Sequence, residues 1–147
     1  MDLKERLKQY EGTLEYQSKL GYFKNGKFWV YKDSLGFPTI GYGHLVQKGE
    51  SFPNGMTSNE AELQLLIDIK KAKGELSSLN LGNLPQDIED YLVIMLFQLG
   101  LGGVKKFKKL LAAAKNHDRN GMRRESVDSL WYRQTPNRVK DMNGQLK

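Results

Sequence analysis

Glu11 and Asp33 are the residues around which chemistry can be built. Glu11 stands in Tyr10-Glu11-Gly12, Asp33 in Tyr31-Lys32-Asp33-Ser34-Leu35-Gly36, and Thr39 follows after five intervening residues. A carboxylate at the end of a helix faces the negative pole of the macrodipole, which disfavours ionisation. That suits a general acid, which must keep its proton near neutral pH, whereas Asp33 in a wetter turn stays ionised. Two carboxylates held apart in different environments are what cleavage of a glycosidic bond needs: one protonates the leaving oxygen, the other activates water or attacks the sugar. The chain carries 17 acidic residues, so the pair alone does not single out this chemistry. Taken plainly, Glu11 is a helix-end carboxylate paired with a lysine, Asp33 is a turn former bonded to its own backbone, and Thr39 is a β-branched strand residue.

The elements that must position these residues can be read from pattern. Leu3, Leu7 and Tyr10 recur at helical spacing, Asp2 with Glu5 resembles a capping box, and Gly12 stops the helix. Asn25-Gly26, flanked by Tyr22-Phe23 and Phe28-Trp29-Val30-Tyr31, predicts a hairpin, and Ser34-Leu35-Gly36 a second turn before the strand Pro38-Thr39-Ile40. Phe52-Pro53-Asn54-Gly55 is a turn, and Thr57-Ser58-Asn59-Glu60 opens a long helix with the apolar stripe Ala61, Leu65, Ile69, Ala72, Leu76 and Leu79. Pro85 starts a helix that is apolar nearly all round from Ile88 to Leu99, ended by Gly100, Gly102 and Gly103. Val104, Phe107, Leu110, Leu111 and Ala114 predict a third helix of this half, and His117 to Gly121 a polar turn. A fourth helix is expected to carry Val127, Leu130 and Trp131, and Thr135-Pro136 caps and opens a last one. Trp131 reads as packing, while Gln98, a polar residue closing an apolar helix, is the better candidate for a cleft.

At 147 residues the chain fits one domain with room for two lobes. No run approaches a transmembrane helix, so membrane insertion is not expected, and Met1-Asp2-Leu3-Lys4-Glu5 lacks the apolar stretch of a signal peptide. The expectation is a protein made soluble in the cytoplasm. No cysteine and two histidines make no credible metal set, so His44 reads as structural and neither metal nor cofactor is expected. The net charge of +6 and pI near 9.4 attract polyanions. Lys70-Lys71 and Lys105 to Lys109 read as solvated helix faces rather than a nucleic-acid reader, so no nucleic-acid partner is expected. Bacterial cell walls are polyanionic as well.

Glu11-Gly12, Tyr31-Lys32-Asp33 and Thr39-Ile40-Gly41-Tyr42-Gly43-His44-Leu45 resemble the catalytic signature of the tailed-phage lysozymes, glycoside hydrolase family 24. Phe97-Gln98-Leu99-Gly100 with Gly103, Val104 and Phe107, and Trp131-Tyr132-Arg133-Gln134-Thr135-Pro136-Asn137-Arg138, are similar to that family's second lobe. Three departures stand out: the long stretch from Gly12 to Lys32 between the carboxylates, whose surplus is read as the Tyr22 to Trp29 hairpin; the short segment from Val46 to Met56; and a C-terminus that looks short.

The resemblance implies an α+β, lysozyme-like fold in one domain, residues 1–147: a small antiparallel sheet lobe at about 1–56, a connecting helix at about 57–80, and a helical lobe at about 81–147. It implies a monomeric muramidase that cleaves the β-1,4 bond between N-acetylmuramic acid and N-acetylglucosamine in bacterial peptidoglycan. Such an enzyme acts as an endolysin or virion-associated lysin, held in the host cytoplasm until release to the wall. By the same resemblance Glu11 is the acid, Asp33 the base or charge stabiliser and Thr39 the water's anchor. Leu45, Phe97 and Gln98 contact sugar, His44 pairs with Asp68, Arg138 pairs with Glu11, and the product is inverted. The alternative is a wall-binding or virion structural module that keeps the fold without the catalysis. The hairpin is expected as an addition to the rim of the cleft rather than part of the core, a source of sugar or peptide contacts through Tyr22 or Trp29; the alternative is that it patches a core left thin by the short Val46 to Met56 segment.

Overall fold

Asp2 opens the first helix by accepting a hydrogen bond from the Glu5 amide at 2.9 Å, and α1 runs Leu3–Glu11 until Gly12, at φ 109°, turns the chain away. The computed structural model describes residues 1–147 and divides into two units, Met1–Lys70 and Lys71–Lys147. In the first unit, Leu7 is wholly buried, while Lys4 and Lys8, one turn apart on α1, both pair with Glu62. A second helix, α2 at Leu14–Leu20, follows at once; the Thr13 hydroxyl caps it by accepting from Tyr16, and Gly21 ends it in the left-handed conformation. Pattern alone assigned no element there. The signals were Thr13 and Gly21, the two ends of a helix too short to show a periodic stripe.

The strands are β1 (Phe23–Lys24), β2 (Lys27–Phe28), β3 (Tyr31–Lys32), β4 (Pro38–Ile40), β5 (His44–Leu45) and β6 (Met56–Thr57). They form two antiparallel sheets, in the orders β1-β2-β6 and β3-β4-β5, where a single small sheet was expected. Asn25 and Gly26 both take positive φ, 54° and 73°, as a two-residue hairpin turn with the right twist demands. The hairpin is not a rim addition. Phe28 is wholly buried and meets Phe23 and Tyr42 edge-on, at centroid distances of 4.7 and 5.1 Å, and β2 pairs with β6 at the end of the shortened segment. Beside the shortened segment, it is the hairpin's Phe28 that completes the packing of this part of the core.

Thr57 and Glu60 make both bonds of a capping box, Glu60 amide to Thr57 hydroxyl at 3.1 Å and Thr57 amide to Glu60 carboxylate at 2.9 Å, at the head of α3 (Ser58–Ser78). Ala61, Leu65, Ile69, Ala72 and Leu76 form its buried stripe, and the division between the units falls within this helix.

The second unit is helical. In α4 (Gln86–Lys105), Ile88 and every residue from Tyr91 to Leu96 are buried. Gly100 alone breaks it, at φ 74° and ψ 167°; Gly102 and Gly103, expected to help end the helix, lie in helical turns beyond the break. Then come α5 (Lys108–Lys115), α6 (Arg119–Val127), α7 (Leu130–Gln134) and α8 (Pro136–Gln145). The expected polar turn at His117 to Gly121 is shorter, because the Asp118 carboxylate accepts from the Gly121 amide at 2.9 Å and starts α6 there. Val127 and Trp131 therefore fall on different helices, separated by the Ser129 cap of α7. Thr135 precedes α8 as expected, but its hydroxyl donates to the Trp131 carbonyl at 3.2 Å and makes no cap. Arg119 grips Asp87 with two nitrogens, at 2.7 and 2.9 Å, and the Tyr91 hydroxyl, Asn143 and Ser126 form a hydrogen-bonded cluster.

Candidate active site

Glu11 is the last residue of α1, and its side chain lies across the turn Gly41-Tyr42-Gly43 that joins β4 to β5. A Cβ placed on Gly43 would sit 2.7 Å from Glu11 Cγ and 3.0 Å from its Cδ, at a backbone φ of 82° that side chains rarely adopt. Glycine is required there on both counts. The residues on either side of the acid, with Gln9, Thr13 and Tyr16, line a depression of about 450 Å³. The Tyr31 hydroxyl donates to the Glu11 carbonyl at 3.4 Å.

Asp33 directly follows β3 and folds its carboxylate back on the following turn: Oδ1 accepts from both the Leu35 and Phe37 amides at 2.9 Å. Its own amide donates to the Phe37 carbonyl, closing the loop. Both bonds converge on one oxygen, so Oδ2 is left for another partner. Thr39 is buried on β4, and its hydroxyl donates to the same Phe37 carbonyl at 3.0 Å, which commits its proton and leaves the oxygen as an acceptor. One backbone residue, Phe37, thus fixes the aspartate and the threonine together.

Tyr31 connects the set. It pairs with Thr39 across β3 and β4, precedes Asp33 by two residues, bonds the Glu11 carbonyl, and stacks on Tyr22 at 4.5 Å with rings 6° from parallel. Burial, with the charges of Glu11 and Asp33 and the neighbouring Tyr22, pushes its phenol up to about 12. Glu11, Asp33 and Thr39 are therefore gathered around a phenol that stays neutral. The pattern reading passed over Tyr31, and also Gln17, whose buried amide donates to the carbonyls of Gly12 and Gly41. A tyrosine before a turn and a glutamine on a short helix carry no sequence signal of such contacts.

His44, buried on β5, has both ring nitrogens engaged, Nδ1 with Asp68 and Nε2 with Glu50, each at 2.9 Å. The hydrogen bond to Asp68 raises its pKa more than burial lowers it, with Glu50 adding to the rise. Glu50 also accepts from the Gln47 amide, so this carboxylate, absent from the sequence reading, shapes the short loop. Leu45 stands opposite Thr39 and is 44% exposed.

In the helical unit, Phe97 and Gln98 are half-buried near the end of the apolar run of α4. The Gln98 amide is engaged inside that unit: its oxygen accepts from the Trp131 indole at 2.8 Å and its nitrogen lies 3.4 Å from the Thr135 hydroxyl. Trp131 is buried edge-on to Tyr91 and Phe107. Arg138 is half-buried on α8.

Residues 23–146 match the family model described as phage lysozyme. Among related proteins, the chain is 28% identical to the pre-baseplate central spike protein Gp5 of Enterobacteria phage T4, over 75% of this chain and 24% of that protein. It is 28% and 26% identical to the probable T4-type lysozymes 2 and 1 of Dictyostelium discoideum, in each case over 81% of this chain and 85% of the relative. The chain thus spans about a quarter of the spike protein and most of either lysozyme. The family match begins at the hairpin, so α1 with Glu11 and all of α2 precede it. With an α+β fold and a match over most of its length, the chain belongs to the phage lysozyme family, a family of glycoside hydrolases.

Proposed function

We propose that this protein is a muramidase that hydrolyses the β-1,4 bond between N-acetylmuramic acid and N-acetylglucosamine in bacterial peptidoglycan. Glu11 protonates the leaving oxygen; Asp33 Oδ2 takes a proton from the attacking water, whose second hydrogen is accepted by Thr39 Oγ1. In this reading Leu45, Phe97 and Gln98 contact the glycan, Arg138 supports the Glu11 carboxylate, and the chain works as a monomeric lysin. The single observation that carries it is the convergence on Tyr31: its hydroxyl bonds the carbonyl of the acid on α1, its backbone stands opposite Thr39 across β3 and β4, and two residues on the turn-held Asp33 keeps one carboxylate oxygen clear of the turn's bonds.

The test is loss of turbidity and release of reducing ends from purified peptidoglycan. The wild type clears the suspension, and Glu11→Gln, which keeps the shape but cannot donate a proton, loses about 10²-fold to 10⁴-fold in rate. A wild-type protein that sediments with the wall without clearing it would instead be a wall-binding module.

A further inference from the structure

The last residue of a helix is where fraying is greatest, yet a general acid must hold one position to within a fraction of an ångström. Glu11 is such a residue, followed by a glycine. Two side chains from the stretch between the carboxylates remove that freedom. Gln17, on α2, is 1% exposed, and its Nε2 donates to the Gly12 carbonyl at 2.9 Å and the Gly41 carbonyl at 2.8 Å. Gly12 follows the acid; Gly41 opens the turn on which the acid's side chain rests at Gly43. One amide therefore ties the acid's backbone to the surface beneath its carboxyl. Tyr31 holds the same helix end through the Glu11 carbonyl, and its ring stacks on Tyr22.

We propose that Gln17 and Tyr31 are positioning residues for Glu11, and that α2 and Tyr22, which enter the chain between the two carboxylates, serve to brace the acid. The proposal rests on Glu11 being the acid. The raised phenol pKa supports it, since Tyr31 remains a donor throughout the range in which such an enzyme works. A brace differs from ordinary core packing in what its loss does. Loosening the acid leaves glycan binding intact and slows the chemical step, whereas damaged packing lowers the melting temperature and leaves the folded enzyme's kcat alone.

The experiment is steady-state hydrolysis of soluble peptidoglycan fragments by Gln17→Met, Tyr31→Phe, Tyr22→Leu and Tyr22→Phe, at a temperature where circular dichroism shows each to be folded. Gln17→Met and Tyr31→Phe should each lower kcat by roughly 10-fold to 100-fold with KM within about twofold of wild type. Tyr22→Leu should move in the same direction, and Tyr22→Phe, which keeps the stack, should restore wild-type kcat. If Gln17→Met does not fold, Gln17→Asn, an amide with shorter reach, takes its place in the comparison. Unchanged kcat in the folded variants, or a loss confined to KM, overturns the brace. Glu11→Gln run in parallel separates the two readings: if it stays active the acid assignment falls, and if it is inactive while the brace variants are normal, only the brace falls.

Discussion

Gly43 shows how narrowly the acid is seated. A methyl group there would have to displace the Glu11 side chain itself, because the nearest atoms are Glu11 Cγ, Cβ and Cδ. Gly43→Ala should therefore cost activity out of proportion to stability. A misplacement of about 1 Å is worth on the order of 10²-fold in rate, while alanine at positive φ costs about 1–3 kcal/mol. Peptidoglycan clearing and thermal melting on the same preparation check the split. Asp33 has two tasks that one substitution can separate. Asp33→Asn keeps the carbonyl oxygen that accepts from Leu35 and Phe37, so the turn and the melting temperature should survive. It removes the base, so hydrolysis should fall by about 10²-fold or more. A variant whose melting temperature drops while its kcat holds would make Asp33 a turn former and nothing else.

The hairpin is the element whose place pattern misjudged. An Asn-Gly turn closes its strands locally, but a two-stranded hairpin is marginal alone, and this one is stabilised by β6 on one edge and by the burial of Phe28. Phe28→Ala should destabilise the protein by about 3–5 kcal/mol, the usual cost of deleting a buried aromatic. Urea unfolding with an unchanged m-value measures it. Replacing residues 21–27 by a two-residue turn should then impair folding rather than merely change affinity for wall fragments. Retained folding with altered affinity would return the hairpin to the rim. The capping box of α3 is worth about 1 kcal/mol, so Thr57→Ala should shift the same unfolding curve by that smaller amount.

On the scale of the whole molecule, two ionic clusters contribute to how stability changes with pH. His44 has its pKa raised above the ordinary 6.5 by Asp68 and Glu50, so its contribution is fully present below that value and is lost as pH rises through the folded pKa. Asp87, buried and gripped by Arg119, has its carboxyl held well below the usual carboxylate range. Its contribution is present above about 3.8 and is lost as pH falls through the lowered folded value. Melting temperature against pH should therefore decline on both sides. Asp68→Asn should flatten the alkaline decline, and Asp87→Asn the acid one, at a cost near 1.5–3 kcal/mol at neutral pH for the lost charged hydrogen bonds. Declines that keep their slopes in these variants would assign the pH dependence to other groups.

The sequence by itself determined what rests on local chemistry: the caps at Asp2 and Thr57, the Asn25-Gly26 hairpin, the stop at Gly12, the buried stripe of α3 and the apolar run of α4. It also set out Glu11 and Asp33 as a pair of carboxylates, while the roles given to them and to Thr39 came from the resemblance of their motifs to a family. Tertiary structure alone decided the rest. That β2 joins β6, that Phe28 completes a core, and that Gln98 and Thr135 bond each other and Trp131 all depend on residues distant in sequence meeting in space. So do the Gln17 bridge and the Tyr31 stack. Short helices such as α2 lack a full period of burial to reveal them, and a polar side chain's partner is set by where the backbone brings its carbonyls, which no local pattern encodes.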